Sequence, residues 1–338
     1  MIDEWLNSMR ATGFDVDLES SGNPLGDVQS VRSDTIIAPL VHLGLIQAQG
    51  EDAQPFLHNL LTNDVNGLGL NDLLRAGFCT PKGRMLADFL IWRDGDGVKL
   101  QLSADMLPAI LKKLSMYVLR SKVKLGDASQ THARIGLSGS QAIALLQQLN
   151  LPTPAIMQQQ PFAGGVVLGL GGQRFEIVLA ADRVAAIWQA LATLAKPVGV
   201  AAWRALDVAA GIPLITSATQ ESFVPQMVNF ELIGGVSFKK GCYPGQEIVA
   251  RTHYLGKVKR RMYRAHVATD AVPVGASIYA PETGDQACGA VVETAPSVDG
   301  GIELLFSAQS SCVAAGEIHV GSAAGPLAHV LSLPYPVE

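Results

Sequence analysis

The segment Phe238-Lys239-Lys240-Gly241-Cys242-Tyr243-Pro244-Gly245-Gln246-Glu247 sets one cysteine beside two lysines, just ahead of a Pro-Gly pair. A cysteine reacts as its thiolate, and neighbouring ammonium groups favour that form. Pro244 and Gly245 suit the two central positions of a type II turn. The residues from Gln246 can then begin a helix, whose free N–H groups and dipole favour an anion nearby. The pattern predicts a thiolate carried on a rigid loop, kept ionised by Lys239 and Lys240. The same residues also fit a small buried filler with solvated lysines, the usual fate of an isolated cysteine.

Other reactive groups are sparse. The four cysteines, Cys79, Cys242, Cys288 and Cys312, are far apart and include no Cys-x-x-Cys pair. That argues against a structural zinc site or a local disulfide framework, and it leaves no evident thiolate set for an iron–sulfur cluster. Reduced thiols fit a cytoplasmic setting. The net charge of -5 hides an asymmetry, because residues 239–264 hold eight basic side chains and a single acid, Glu247. Such a band can meet phosphate, a polyglutamate tail, an acidic partner or RNA, or can simply be a solvated face. No recognised RNA-binding motif or aromatic ladder accompanies it, so direct nucleic-acid binding is not favoured. The Asp94-Gly95-Asp96 stretch lacks the later ligands of a calcium loop and reads as a hairpin turn. Met1-Ile2-Asp3-Glu4-Trp5 begins with acids and does not read as a secretory signal, and the longest uncharged runs carry Gln, Gly and Pro, so none reads as a membrane span.

The elements that must position these groups follow from periodicity. Residues 35–48 read as a strand and 51–63 as a helix. Residues 73–79 and 85–92 read as paired strands around Pro81-Lys82-Gly83, and Asp94 to Gly97 turns the chain into a strand over 98–103. A helix over 107–118 and a strand over 122–125 close this first set. A second set resembles it: a strand at 134–137, a helix at 141–149, paired strands at 166–170 and 174–179 around Gly171-Gly172, and a helix at 182–194. Beyond residue 255 helical periodicity fades, and short apolar stretches between glycines and prolines suit a small β-barrel.

The string from Lys240 to Glu247, with Ala250-Arg251 behind it, resembles the K-G-C-[YF]-x-G-Q-E motif of the YgfZ-type folate-binding proteins. That family includes a mitochondrial iron–sulfur assembly factor, and Thr252-His253-Tyr254-Leu255-Gly256-Lys257-Val258-Lys259-Arg260-Arg261 continues in the manner of the mitochondrial branch. Gly211-Ile212-Pro213, and Phe223-Val224-Pro225-Gln226 with Asn229, fit the family's G-I-P and P-x-x-x-N phrases. The resemblance covers about residues 34–335. It implies the α+β fold of the T-protein of the glycine cleavage system, a tetrahydrofolate-dependent aminomethyltransferase. In that fold two ferredoxin-like α+β subdomains and a C-terminal β-barrel form a three-part ring around a central folate channel. On this chain the parts would be an N-terminal arm at 1–33, α+β units at 34–130 and 131–254 that can interleave, and a barrel at 255–338. The second unit would carry the cysteine loop.

The resemblance also assigns roles. Trp203 matches a tryptophan linked with folate binding, and Glu176 matches by phrase the T-protein glutamate that grips the pterin edge. Their commoner roles are a packing tryptophan and an outward-facing strand glutamate. A second family tryptophan would fall near Leu43, where this chain has none. Arg251 and the basic band, Lys240 included, would meet the folate glutamates or a partner surface. In the T-protein a paired Asp-Asp follows a glycine turn, but in Gly83-Arg84-Met85-Leu86-Ala87-Asp88 only Asp88 remains. A T-protein arginine and glutamate become Asp207 and Ala209. The expected function is therefore that of a cytoplasmic tetrahydrofolate-binding protein with Cys242 as its reactive thiol. It would support the assembly or repair of iron–sulfur enzymes, meet iron–sulfur client or assembly proteins, and influence tRNA modification indirectly. Two alternatives remain: a folate-dependent aminomethyl or methyl transferase using Asp88, and an RNA-binding or protein-docking module using the basic band 239–264, with Lys257, Lys259, Arg260 and Arg261.

Overall fold

Alternating apolar residues along Arg174–Ala180 and His132–Ser138 place these two strands at the centre of a six-stranded sheet. The computed structural model describes residues 2–254 and 258–337 of the chain. Leu255, Gly256 and Lys257, which belong to the motif continuation, lie outside the described residues, Lys257 being also part of the basic band. The chain divides into two compact units that do not follow its order. The first takes the chain up to Ala53, Gly67–Leu74 and Leu90–Trp203; the second takes Gln54–Asn66, Arg75–Phe89 and everything from Arg204.

In the first unit the six-stranded sheet is antiparallel except where Ile36–Pro39 meets Lys196–Pro197. Because side chains alternate across a strand, its two faces bury different partners. Ile135, Leu137, Phe175, Ile177 and Leu179 face the helices Ala142–Gln148 and Val184–Ala192. Trp5 and Met9 from the helix Ile2–Ala11 join that core, Trp5 edge-on to Trp188 with ring centroids 5.6 Å apart. Val178 and Leu168 on the opposite face meet Leu45, Leu90 and Trp92 of a five-stranded antiparallel sheet. The order of that sheet is Leu73–Cys79, Met85–Asp94, Gly97–Ser103, Leu43–Gln49 and Lys124–Asp127.

Two expectations change here. The strand expected over 35–48 is two strands. Ile36–Pro39 belongs to the six-stranded sheet and Leu43–Gln49 to the five-stranded one. Pro39, which has no N–H to donate, ends the first of them. The helix expected over 51–63 spans only Ala53–His58. The residues after it are drawn into long-range hydrogen bonds, described below for His58, Leu61, Thr62 and Asn63.

The second unit is built on a six-stranded antiparallel sheet in the order His319–Val320, Ser277–Tyr279, Gly289–Pro296, Ile302–Gln309, Arg260–Val267, Ala328–Leu331. Its edges meet, since Ala328 N–H donates to Ile318 O (2.8 Å) and Val320 N–H to Pro326 O (3.1 Å). This closes the expected barrel around Val267, Ile278, Val291, Leu304, Phe306 and Ile318. A bulge between Val291 and Glu293 breaks the alternation and turns Glu293 into buried surroundings.

Candidate functional site

Glu176 and Trp203 fall in the first unit and Asp88, Lys240, Cys242 and Arg251 in the second. In the first unit Glu176 lies opposite Gly136 on the neighbouring strand. A Cβ added at Gly136 would lie 2.5 Å from ring atoms of Trp203. Only glycine there allows the indole, which is 1% exposed, to lie on the strand beside Glu176. Arg174, on the same face as Glu176, places its guanidinium carbon 5.2 Å from the indole centroid. Glu176 is itself buried, and Gln101 Nε2 donates to its carboxylate at 2.9 Å. Arg134 donates to the Leu43 carbonyl from one nitrogen. Burial pulls this guanidinium below its ordinary value, while Glu176 and Asp127 hold it up. Gln101 Oε1 and Arg134 Nε and Nη1 are buried without a hydrogen-bond partner among the described residues. Orphaned buried groups cost about 1–3 kcal/mol each, so this cluster is suited to a polar guest. Gln101 and Arg134 escaped the sequence reading because their connection to Glu176 is made only in the folded sheets. The place expected for a second tryptophan, Leu43, belongs to this same cluster through its carbonyl.

In the second unit the cysteine loop is fixed from both sides. Gln246 N–H donates to Tyr243 O at 3.1 Å, and Gly245 has φ +83 at the third turn position, as a type II turn requires. A Cβ on Gly245 would meet Thr80 O at 2.4 Å and the backbone of Gly83 at 2.7 Å. Gly83 in turn has φ +71 and lies against Ile248. Two glycine turns distant in sequence thus pack against one another, one bearing Cys242 and the other leading into the strand of Asp88. Lys240 anchors the other side of the loop. Its ammonium donates to Leu61 O at 2.6 Å and to His58 O, carbonyls at and just beyond the C-terminal end of the helix Ala53–His58, and lies 4.9 Å from the Tyr243 ring centroid. Burial pulls the Lys240 ammonium down to about 8, against the opposing pull of Asp64 and Cys242. Cys242 is exposed, whereas Cys79, Cys288 and Cys312 are buried. Arg251 is exposed on the helix Gln246–Tyr254 that follows.

His58 adds a group the sequence did not single out. Its Nδ1 is 3.1 Å from Asp64, and its Nε2 faces Gly241, 3.9 Å from where a Cβ would stand. Burial and Lys240 lower its pKa, and Asp64 works the other way. Asp88 is 7% exposed and accepts Ile215 N–H at 2.7 Å. Burial pushes its carboxyl up to about 6, with the Ile215 hydrogen bond and Arg75 opposing. Glu293, on the bulge, is pushed up to about 7 by burial and by Asp207 and Asp88, with Arg204 opposing. The basic band is not one surface: Arg261 is buried in an ion pair with Glu231, and Arg264 pairs with Glu303. Beside it Phe238 stacks on His253 with centroids 3.8 Å apart, and Tyr254 closes edge-on, an aromatic group the sequence reading lacked.

The family model for the GCVT N-terminal domain matches residues 19–165. The tRNA-modifying protein YgfZ of Cronobacter sakazakii is 31% identical over 243 residues, 71% of this chain and 74% of that one. Its counterpart in Colwellia psychrerythraea is 34% identical over 234 residues, 68% and 71% of the two chains. The chain belongs to the YgfZ family. Its fold is that of the T-protein: the glycine cleavage system aminomethyltransferase T from Bartonella henselae matches with a TM-score of 0.75 at 20% identity, over 92% of this chain and 89% of that one.

The phrases that carried the YgfZ resemblance have structural roles here. Gln226 Nε2 donates to Val249 O (2.7 Å), tying the P-x-x-x-N phrase to the helix behind the cysteine loop. Asn229, in the left-handed region at φ 54, pairs through its side chain with both backbone groups of Met262. Gly211 of the G-I-P phrase has φ +66, and its carbonyl accepts the Tyr335 hydroxyl at 2.7 Å. The P-x-x-x-N phrase thus holds the loop helix and a barrel strand, and the G-I-P phrase holds the C-terminal Tyr335.

Proposed function

We propose that this chain is a tetrahydrofolate-binding protein that supports the assembly or repair of iron–sulfur enzymes and, through them, tRNA modification. The observation that carries the reading is the buried Glu176–Gln101–Arg134 cluster beside Trp203. A pterin presents N–H donors along one edge with a carbonyl oxygen next to them, so it calls for a carboxylate, a fixed donor and a flat wall. Glu176 offers the carboxylate, Arg134 the undirected N–H groups and Trp203 the wall. Tetrahydrofolate would supply one-carbon or redox chemistry when bound. Cys242 is the exposed thiol, Lys240 holds its loop, and Arg251 offers a guanidinium for the folate glutamates. The curated relatives carry the name tRNA-modifying protein, which agrees with an effect exerted through thiolating enzymes that need intact clusters. The test is complementation of cells lacking the chain, with cluster-dependent enzyme activity and thiolated tRNA bases as readouts. Wild-type protein should restore both, and Cys242→Ser should leave both below about a tenth of that level. Full rescue by Cys242→Ser would remove the thiol from the account.

One observation favours a second reading. A buried carboxyl at about 6, as in Asp88, is suited to general-base work near neutrality. Folate-dependent aminomethyl or methyl transfer would then be lost in Asp88→Asn and kept in Cys242→Ala.

A further inference from the structure

Two residues along each strand from the Glu176 cluster, about 7 Å away, the strands Gly97–Ser103, His132–Ser138 and Arg174–Ala180 part around a different set of side chains. Lys99 replaces Gln101 on that face, His132 replaces Arg134, and Val178 replaces Glu176. They line a cavity of about 550 Å³ that also takes in Trp92 and Phe162. Neither Glu176 nor Trp203 lines it.

Its chemistry is set by a buried ammonium. The Lys99 side chain is 3% exposed and sits opposite Trp92 on the adjoining strand. Its Nζ is 3.4 Å from Asp94 Oδ2 and 3.4 Å from His132 Nε2, both at the long end of hydrogen bonding. The Asp94 side chain is half exposed, so its compensation is shared with solvent. His132 Nδ1 lies 2.9 Å from Thr131 Oγ1, and Nε2 is left to accept from the lysine, which fits a neutral ring. Burial lowers the pKa of both Lys99 and His132. Buried charges in folded proteins are ordinarily closely paired. Here a cation sits at the inner wall of a roomy cavity with only long contacts.

We propose that this cavity is a second ligand site, separate from the Glu176 cluster, for a small carboxylate with a flat apolar body. The carboxylate meets the Lys99 ammonium, and the body lies against Trp92, Phe162 and Val178. The volume lies in the range of pockets that enclose small molecules. Asp94 competes with the ligand for the same ammonium.

The test is calorimetric titration of the full-length protein with naphthoate and with its neutral analogue naphthylmethanol. The acid is expected to bind at least about tenfold more tightly than the alcohol. Lys99→Met should erase that preference while leaving tetrahydrofolate binding unchanged. Asp94→Asn, a substitution at a half-exposed position that leaves the lysine in place, should tighten naphthoate binding several-fold. No saturable naphthoate binding at millimolar concentration, equal affinity for acid and alcohol, or a preference kept in Lys99→Met would overturn the proposal. Should Lys99→Met fail to fold, Asp94→Asn decides, and an unchanged naphthoate affinity in it overturns the proposal too.

Discussion

Asp88 holds its proton well up the pH scale because the strand that carries it is buried, and its hydrogen bond from Ile215 and the charge of Arg75 only partly offset that burial. In the unfolded chain the same carboxyl titrates near the ordinary aspartate value of about 3.9. Between those two values the folded protein keeps a proton that the unfolded chain releases, so stability falls as pH rises from about 4 to about 6. Glu293 acts with the same sign up to about 7. Asp88→Asn keeps an oxygen to accept Ile215 N–H and removes the buried charge. It should stabilise the protein at neutral pH by on the order of 1–3 kcal/mol, with the gain vanishing near pH 4. Urea midpoints at the two pH values measure this, and a variant less stable at neutral pH would contradict it.

At the scale of elements, the cysteine loop depends on two glycine turns meeting. Gly245→Ala would force a side chain onto a residue at φ +83, with its Cβ 2.4 Å from Thr80 O. The expected cost exceeds 1 kcal/mol, and the loop should lose its seat on the 80–84 turn. Alkylation read by mass spectrometry gives the check. In wild-type protein only Cys242 should react quickly, since Cys79 and Cys288 are buried with thiols pushed up to about 12 and about 11, and Cys312 is 1% exposed. Gly245→Ala should change the Cys242 rate, and an unchanged rate and melting temperature would show that the contact does not matter. The Pro-Gly turn was legible in the sequence because its signal is local. So were the hairpins around Gly83 and Gly171-Gly172, and the helices at 142–148 and 184–192. The division of residues 35–48 between two sheets was not, because it depends on which strands become neighbours. The same holds for Glu293, whose direction is set by a bulge, and for the Lys240 ammonium, whose acceptors His58 and Leu61 are remote in sequence. Trp203 and Glu176 were named from a resemblance; Gln101, Arg134 and Gly136, which surround them, become visible only when the strands pair.

The whole molecule is threaded so that neither compact unit is one continuous piece of chain. The second unit takes residues 54–66 and 75–89 from early in the sequence. Thr62 Oγ1 donates to Gly235 O at 2.6 Å and Asn63 Nδ2 to Gly234 O at 2.7 Å, so these segments complete its interior. A fragment of residues 204–338 lacks them and loses the acceptors of Lys240 as well. It should show no cooperative thermal transition by circular dichroism, whereas the full chain should; a fragment that melts cooperatively would contradict this division. The helix Ile2–Ala11 is likewise part of the first unit's core, through Trp5 and Met9. Residues 1–33 were expected only as an arm, and the spacing of those two residues on one helical face was not used.

The most direct test of the account is equilibrium titration with tetrahydrofolate, comparing wild-type protein with Glu176→Gln. Gln at this position keeps the size and one acceptor oxygen but loses the charge that pairs with pterin N–H donors. Saturable binding by the wild type, weakened at least about tenfold in Glu176→Gln with the melting temperature preserved, is the predicted result. Equal binding by both proteins, or none by either, would contradict the assignment of the Glu176 cluster to folate.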